Sequence, residues 1–213
     1  MIYVNGLYRS GTTVSFNICK QLINKRFIVT NVKKCHEKWI TYPVDSADFN
    51  IYSYRDLRSI TASIMRKRRL TEQEFCEWSY KQFNVNTFKD WFDFLLDYDH
   101  LVFDKALKED LKILSLRYED DILNIDRAVY KIVRYLNLLL PKYILDELSD
   151  SNNIQKNILI ANKLSTDEQD PITMYHHNHI NLKHTDFKNY ISEKNYKYNS
   201  RLNNWLRLRG YEK

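Results

Sequence analysis

The sequence contains no run of apolar residues that approaches the length of a membrane-spanning helix, so we expect no stable insertion into a membrane. Its three cysteines, Cys19, Cys35 and Cys76, are scattered and lack the spacing of metal ligands. We therefore expect reduced thiols and no disulfide framework. The chain also starts directly in an apolar, strand-like stretch, without the basic segment and cleavage site of a secretory signal. Together these absences predict a cytoplasmic protein.

Charge and composition exclude further classes. The formal net charge is +6, but the basic residues are spread along the chain, and no stretch resembles a DNA- or RNA-binding module. One dense basic run, at residues 66–69, is typical of the end of a helix. We expect no nucleic-acid partner. At 213 residues and 44% hydrophobic content, the chain is predicted to be one globular domain covering residues 1–213.

Glycine is scarce, and its placement is informative. Two of the three glycines, Gly6 and Gly11, lie in one short stretch, between an apolar run and an amphipathic helical pattern, which predicts a strand, a loop and a helix. Backbone N–H groups at the start of such a helix have no internal partner, so close approach at glycine lets a phosphate or sulfate reach them. A plain helix cap is the alternative. Only one other glycine, Gly210, occurs in the chain, and this scarcity favours an anion-binding loop.

The loop has the spacing of a phosphate-binding loop but lacks its lysine. Four residues separate the glycines, and two hydroxyl residues, Thr12 and Thr13, follow; Thr12 stands where a P-loop has lysine. The cation of the loop is instead Arg9. A P-loop kinase or nucleotide hydrolase needs that lysine and a strand-end carboxylate for Mg²⁺. Asp56 is the carboxylate that keeps this alternative open.

Ionisable residues follow the second predicted strand, which we place at residues 27–32 because of its β-branched run. Lys34, His36 and Glu37 come just beyond it. In open α/β sheets, ligands lie at the carboxyl ends of the strands. These three residues are therefore candidates for the same site as the loop, with an ordinary polar loop as the alternative for His36 and Glu37.

A second strand-to-helix junction lies at Arg55. The third strand is predicted at residues 48–54, and an apolar helical face follows it, with Ser63 about two turns into that helix. The planar guanidinium group of an arginine is suited to binding a second phosphate. Pairing of Arg55 with Asp48 or Asp56 is the structural alternative.

The rest of the chain predicts helices around one more strand. The predicted elements are a helix over residues 71–96 with a capping box at its start, a strand over 112–118, and helices over 122–140 and 193–208. Residues 149–170, rich in Asn, Ser and Asp, are predicted to be a mobile lid or a loosely ordered connection. The histidines between 176 and 184 lack the helical spacing of a metal site, so we expect no metal. The pattern predicts a three-layer α/β fold with a mostly parallel sheet.

Together the motifs resemble those of the sulfotransferases that use 3′-phosphoadenosine 5′-phosphosulfate (PAPS). Residues 8–13, Tyr-Arg-Ser-Gly-Thr-Thr, are similar to the 5′-phosphosulfate loop of that family, with Tyr8 in place of its proline. Lys-Cys-His at residues 34–36 resembles the Lys-Thr-His element that carries the catalytic histidine. Arg55 and Ser63 are similar to the pair that binds the 3′-phosphate. The segment at residues 117–120 resembles the family's Arg-Tyr-Glu-Asp segment.

The resemblance implies a P-loop-like nucleotide-binding fold and transfer of a sulfuryl group to a hydroxyl or amine of a small-molecule or glycan acceptor. The donor would be PAPS and the product 3′-phosphoadenosine 5′-phosphate (PAP), without a metal. The residues that it places around the nucleotide are Tyr8, Arg9, Ser10, Gly11, Thr12, Thr13, Arg55, Ser63 and Tyr118.

The residues themselves allow this chemistry. Sulfuryl transfer leaves charge on the oxygen of the departing nucleotide, which Arg9 could stabilise, and it needs a base for the acceptor's proton. His36 is the candidate base and Glu37 the alternative, since a carboxylate serves that role in the Golgi-type branch. Lys34 could hold the sulfuryl oxygens. A nucleotide-binding module without catalysis is the non-enzymatic alternative, and the presence of both Arg9 and His36 favours an enzyme.

Overall fold

The computed structural model describes residues 1–7, 9–34, 48–108, 110–165, 168, 170, 175 and 186–212. Its sheet has four strands, all parallel, in the order β2-β1-β3-β4. The strands are β1 (Ile2–Gly6), β2 (Val32–Lys34), β3 (Phe49–Tyr54) and β4 (Ile113–Arg117). Since β1 lies between β2 and β3, its carboxyl end is at the centre of the sheet edge where the candidate site was predicted.

Helices cover both faces of the sheet. The helices of the described residues are α1 (Thr12–Asn24), α2 (Leu57–Arg68), α3 (Glu72–Phe83), α4 (Phe88–Lys108), α5 (Ile125–Tyr135), α6 (Lys142–Ser151), α7 (Ile154–Lys163) and α8 (Ser200–Leu208). A π-helical turn (Tyr118–Ile122) follows β4, and short 3₁₀ turns (Phe187–Asn189 and Glu193–Asn195) precede α8. No helix within the described ranges is long and apolar enough to cross a membrane.

Two hydrophobic clusters fill the space between the sheet and the helices. Successive residues of β3 belong to different clusters: Tyr52 packs with residues of α2, α4 and α8, and Ile51 packs with residues of α1, α5 and α6. Side chains of a strand point alternately to its two faces, so each face of the sheet has its own layer of helices. The three-layer, parallel α/β fold predicted from the sequence is confirmed.

The second strand was predicted at the wrong residues. Residues 27–32 were expected to form it, but β2 is Val32–Lys34. The residues before it close the end of α1: Arg26 has a positive φ of 61°, and the N–H of Phe27 donates to the carbonyl of Leu22 at 3.0 Å. These bonds satisfy carbonyls at the end of the helix that have no partner within it. The β-branched run is therefore used partly in a turn, and Val29 is exposed.

Several helix bounds also differ from the prediction. The helix expected over residues 71–96 is two helices, because Asn84 adopts a left-handed conformation at the end of α3 and Thr87 accepts from the N–H of Asp90 at the start of the next helix. Its capping box, Thr71 with Glu74, is confirmed. The helix expected over 122–140 is shorter, as α5, and the one expected over 193–208 is a 3₁₀ turn followed by α8.

The prediction of a loosely ordered connection at residues 149–170 is wrong for its first part. Residues up to Lys163 are helical, in α6 and α7. Two buried asparagines join these helices: the side chain of Asn152 donates to the carbonyl of Leu148 at 2.8 Å, and that of Asn157 donates to the carbonyl of Asn152 at 3.0 Å. The asparagines of this segment therefore have structural roles: Asn153 caps the start of α7, and Asn152 and Asn157 form buried hydrogen bonds.

Candidate anion-binding site

The loop between β1 and α1 depends on its glycines. A Cβ atom at Gly6 would lie 2.3 Å from the carbonyl oxygen of Ser53, on the neighbouring strand. Gly11 has a φ of +93°, which favours glycine, and a Cβ there would lie 2.7 Å from the side chain of Ile122. Both positions therefore require a residue without a side chain, and the loop lies tightly against β3 and the π-helical turn.

The start of α1 leaves its first main-chain N–H groups without a partner among the described residues. Within the described ranges, no hydrogen bond uses the N–H of Gly11, Thr12 or Thr13, as expected at a helix N-terminus. The hydroxyl of Ser10 lies 2.6 Å from the carbonyl oxygen of Leu7 and 2.7 Å from that of Ser53, so it is engaged in holding the loop. What the loop can offer a ligand is thus main-chain N–H groups and the positive end of the helix dipole.

Arg9 links the loop to α2. It has a positive φ of 63°, unusual for a residue with a side chain, and its Nε donates to Ser63 Oγ at 3.1 Å. Burial, and secondarily the like charge of Arg55, lowers the pKa of Arg9 to about 10. The structure therefore brings together Arg9 and Ser63, which are separated by 54 positions in the sequence, and a bound anion would relieve the electrostatic cost of this arrangement.

Lys34 reaches the same loop from β2. Its Nζ donates to Thr13 Oγ1 at 2.7 Å, because β2 is parallel to β1 with Val4 opposite Lys34, so that both strands end beside the loop. Burial lowers the pKa of Lys34 to about 8. Its ammonium group thus adds a second cation to the start of α1.

Arg55 is buried beside these residues and has spare hydrogen-bonding capacity. Its guanidinium lies 4.2 Å from the centre of the Tyr118 ring, and its Nη1 donates to the carbonyl of Arg9 at 3.4 Å. Its Nε lies 3.8 Å from Glu119 Oε1, too far for a hydrogen bond. Both atoms are buried and lack a hydrogen-bond partner in the part of the chain that the structure describes. Buried polar groups are normally hydrogen-bonded, so this Nε, which has an ion-pair contact with Glu119 but no hydrogen bond, can still donate to a bound anion.

The two carboxylates that were alternative partners of Arg55, Asp48 and Asp56, bind other groups. Asp56 caps α2 by accepting from the N–H of Arg58 at 2.8 Å, and it pairs with the Arg58 guanidinium. Asp48 pairs with the N-terminal amine. Neither carboxylate pairs with Arg55. To bind Mg²⁺ as in a kinase, Asp56 would have to give up its bonds to the N–H and the guanidinium of Arg58.

A clasp formed by residues 210–212 supports the Arg55 side of the site and was not expected from the sequence. The hydroxyl of Tyr211 donates to Glu119 Oε2 at 2.9 Å, the Arg117 guanidinium lies 4.0 Å from the centre of the Tyr211 ring, and Glu212 pairs with Arg58. The Gly-Tyr pair after the last helix was the available signal, but nothing in it indicates contacts with a segment about 90 residues earlier.

Three predicted site residues, Tyr8, His36 and Glu37, lie outside the described residues, as do the histidines between 176 and 184. The structure brings the other candidates to one loop: Arg9, Ser10, Gly11, Thr12, Thr13, Lys34, Arg55, Ser63 and Tyr118. Within the described ranges, no three His, Cys, Asp or Glu residues are grouped so as to hold a metal ion.

Comparison with known proteins gives a likeness in fold. No family model matches the sequence, and no curated protein matches it. Among solved structures, the chain is similar to mouse sulfotransferase SULT7A1 complexed with PAP, with a TM-score of 0.63 and 15% identity over 99% of this chain and 88% of that chain. At this identity the likeness establishes a shared fold.

Proposed function

We propose that this chain is a PAPS-dependent sulfotransferase that transfers a sulfuryl group to a hydroxyl or amine acceptor. The observation that carries the proposal is that Lys34 and Arg55 reach the glycine-dependent loop that contains Arg9, and that the first helical N–H groups of this loop have no acceptor among the described residues. The fold shared with a PAP-bound sulfotransferase supports it. Turnover of PAPS with release of PAP, measured on the purified protein, tests it directly.

Each cation has a role in this proposal. The loop N–H groups and Lys34 hold the phosphosulfate end of the donor, and Arg55 with Ser63 holds the 3′-phosphate. In the transfer, the bond from sulfur to the bridging oxygen breaks, a bond from sulfur to the acceptor oxygen forms, and the acceptor's proton passes to a base. Arg9 stabilises the charge left on the bridging oxygen, because a preorganised cation in a buried site acts most strongly where charge develops.

We propose His36 as the base. Replacing it with alanine should lower turnover roughly a hundredfold or more with little change in PAP affinity, and Glu37→Gln should have the smaller effect. Steady-state kinetics and calorimetry on both variants check this. Full activity in His36→Ala, or the reverse order of the two effects, would assign the base to another residue.

The proposal requires no divalent metal, since Arg9, Lys34 and the helix N-terminus supply the positive charge that Mg²⁺ provides in kinases. PAPS turnover should therefore be unchanged when EDTA is added in excess. Activity that EDTA abolishes and Mg²⁺ restores, with ATP as the donor, would favour the kinase alternative.

The depressed pKa of Lys34 predicts a pH dependence. A lysine with a pKa of about 8 is mostly charged below that pH and mostly neutral above it, whereas an ordinary lysine stays mostly charged up to about pH 10. We expect kcat/KM for PAPS to fall above about pH 8, and the Lys34→Arg variant to lose this fall because arginine keeps its charge. An identical fall in the variant would assign the titration to a different group.

A further inference from the structure

A cavity of about 270 Å³ lies beside Arg9, between α2, α3 and α4. Arg9, the cation of the loop, is part of its lining. The residues that line it are Arg9, Ile64, Lys67, Arg68, Trp78, Gln82, Phe83 and Trp91. Pockets for drug-sized ligands usually start at about 300 Å³, so this one has room for about a single ring and its substituents.

The charged residues of the lining that the structure describes, Arg9, Lys67 and Arg68, are all positive. The lining includes no acidic residue, and no ion pair between described residues involves Arg9, Arg66, Lys67 or Arg68. Lys67 has a lowered pKa, first through burial and then through the like charges of Arg9 and Arg68. Cations in the last turn of α2 are stabilised by the helix dipole. Arg9 belongs to the loop and not to α2, so the dipole does not explain why it lies beside Lys67 and Arg68.

The lining also includes three aromatic side chains, Trp78, Phe83 and Trp91. The rings of Trp78 and Phe83 have their centres 5.7 Å apart, and the centres of Trp78 and Trp91 are 6.0 Å apart. The Arg68 guanidinium lies 4.7 Å from the centre of the Trp78 ring, which joins the aromatic side chains to the charged ones. A flat ring can pack against such aromatic side chains, with its polar substituents towards the cations.

One buried donor of the lining, Nε1 of Trp78, has no hydrogen-bond acceptor within the described ranges. Leaving a buried donor unpaired is costly, and a negatively charged oxygen is the acceptor that satisfies such a donor best. This unpaired N–H group is independent of the charge of the lining and indicates the same kind of ligand.

We infer that the acceptor is a compound of about one ring that carries an anionic group, such as a carboxylate, in addition to the hydroxyl that receives the sulfuryl group. The inference rests on the proposed function for the identity of the reaction. The anionic group contacts Lys67 and Arg68, the ring packs against Trp78, and the hydroxyl faces Arg9.

The test uses two phenols of similar size and shape, 4-hydroxybenzoate and 4-hydroxybenzamide, of which only the first is negatively charged. Calorimetry on the protein with PAP added should show about tenfold or tighter binding of the carboxylate, since a hydrogen bond to a charged group is typically the stronger one. Added salt should reduce this preference. In Lys67→Met the preference should fall to less than about threefold, with PAP affinity unchanged.

Lys81→Met is the matched control, because Lys81 is an exposed lysine near the end of α3 that does not line the cavity; it should keep the preference. Equal binding of the two phenols by a protein that binds PAP would overturn the inference and leave the proposed function standing. If Lys67→Met loses PAP affinity, the cavity belongs to the nucleotide site, and this result would also overturn the inference about the acceptor. If the wild-type protein binds no PAP, the proposed function fails, and a retained preference for the carboxylate would still support an anionic ligand here.

Discussion

Replacing Arg9 by alanine should lower kcat about a thousandfold and leave the folded protein at least as stable as before. The first effect follows because removal of one preorganised group that stabilises developing charge typically costs about 10²–10³ in rate. The second follows from the lowered pKa of Arg9: the fold disfavours the charged form of this guanidinium, through burial and through Arg55, so losing it removes an unfavourable contribution. Steady-state kinetics and thermal unfolding measure the two effects.

Arg26→Ala is the matched control for this variant. Arg26 is an exposed arginine with a φ of 61°, close to the φ of Arg9, so the same substitution is made in the same backbone conformation and away from the loop. We expect wild-type turnover in the control. A kcat for Arg9→Ala within tenfold of the wild-type value would remove Arg9 from the proposed chemistry, and a large drop in its unfolding temperature would show that the residue mainly supports the fold.

Replacing Arg55 by alanine should abolish the preference for PAP over AMP. The two nucleotides differ in the 3′-phosphate, and truncating one partner of a buried charge pair costs about 2–5 kcal/mol, or roughly several hundredfold in affinity. We expect PAP to lose this factor while AMP changes by less than about threefold. Calorimetric titration of both nucleotides gives the comparison.

Arg134→Ala, an exposed arginine on α5, controls for the general loss of positive charge and should bind both nucleotides as the wild type does. Equal affinity of the wild-type protein for PAP and AMP would contradict the assignment of Arg55 and Ser63 to a 3′-phosphate. Equal losses for both nucleotides in Arg55→Ala would indicate that Arg55 positions the loop, through its bond to the Arg9 carbonyl.

The candidate site was largely predictable because its parts are local in sequence or lie at strand ends. The loop is a continuous stretch, and a parallel sheet places the residues after β1, β2 and β3 at one edge whatever the precise bounds of each strand. This is why Lys34 was predicted near the loop although its strand was placed at residues 27–32. The misplaced strand reflects a β-branched run whose first residues satisfy the end of α1, a tertiary use that propensity does not reveal.

The contacts that sequence reasoning missed are those between distant segments. Glu119 lies opposite Arg55 and accepts a hydrogen bond from the hydroxyl of Tyr211, although these three residues are far apart in the sequence. The cavity beside Arg9 was missed for a similar reason, because the basic run at residues 66–69 was interpreted only as the end of a helix. That interpretation is correct for α2, which ends at Arg68, but it does not reveal the cavity that α2 forms with α3 and α4.

The aromatic cluster on one face of the sheet has a consequence for spectroscopy. The tryptophans of the described ranges, Trp78, Trp91 and Trp205, all belong to the cluster that packs against Tyr52, and the cluster on the opposite face contains none. Among these residues, intrinsic tryptophan emission reports the layer that borders the cavity. Quenching by a bound ring should therefore be visible without a label, whereas local opening of α5 or α6 should leave the emission of these three side chains nearly unchanged.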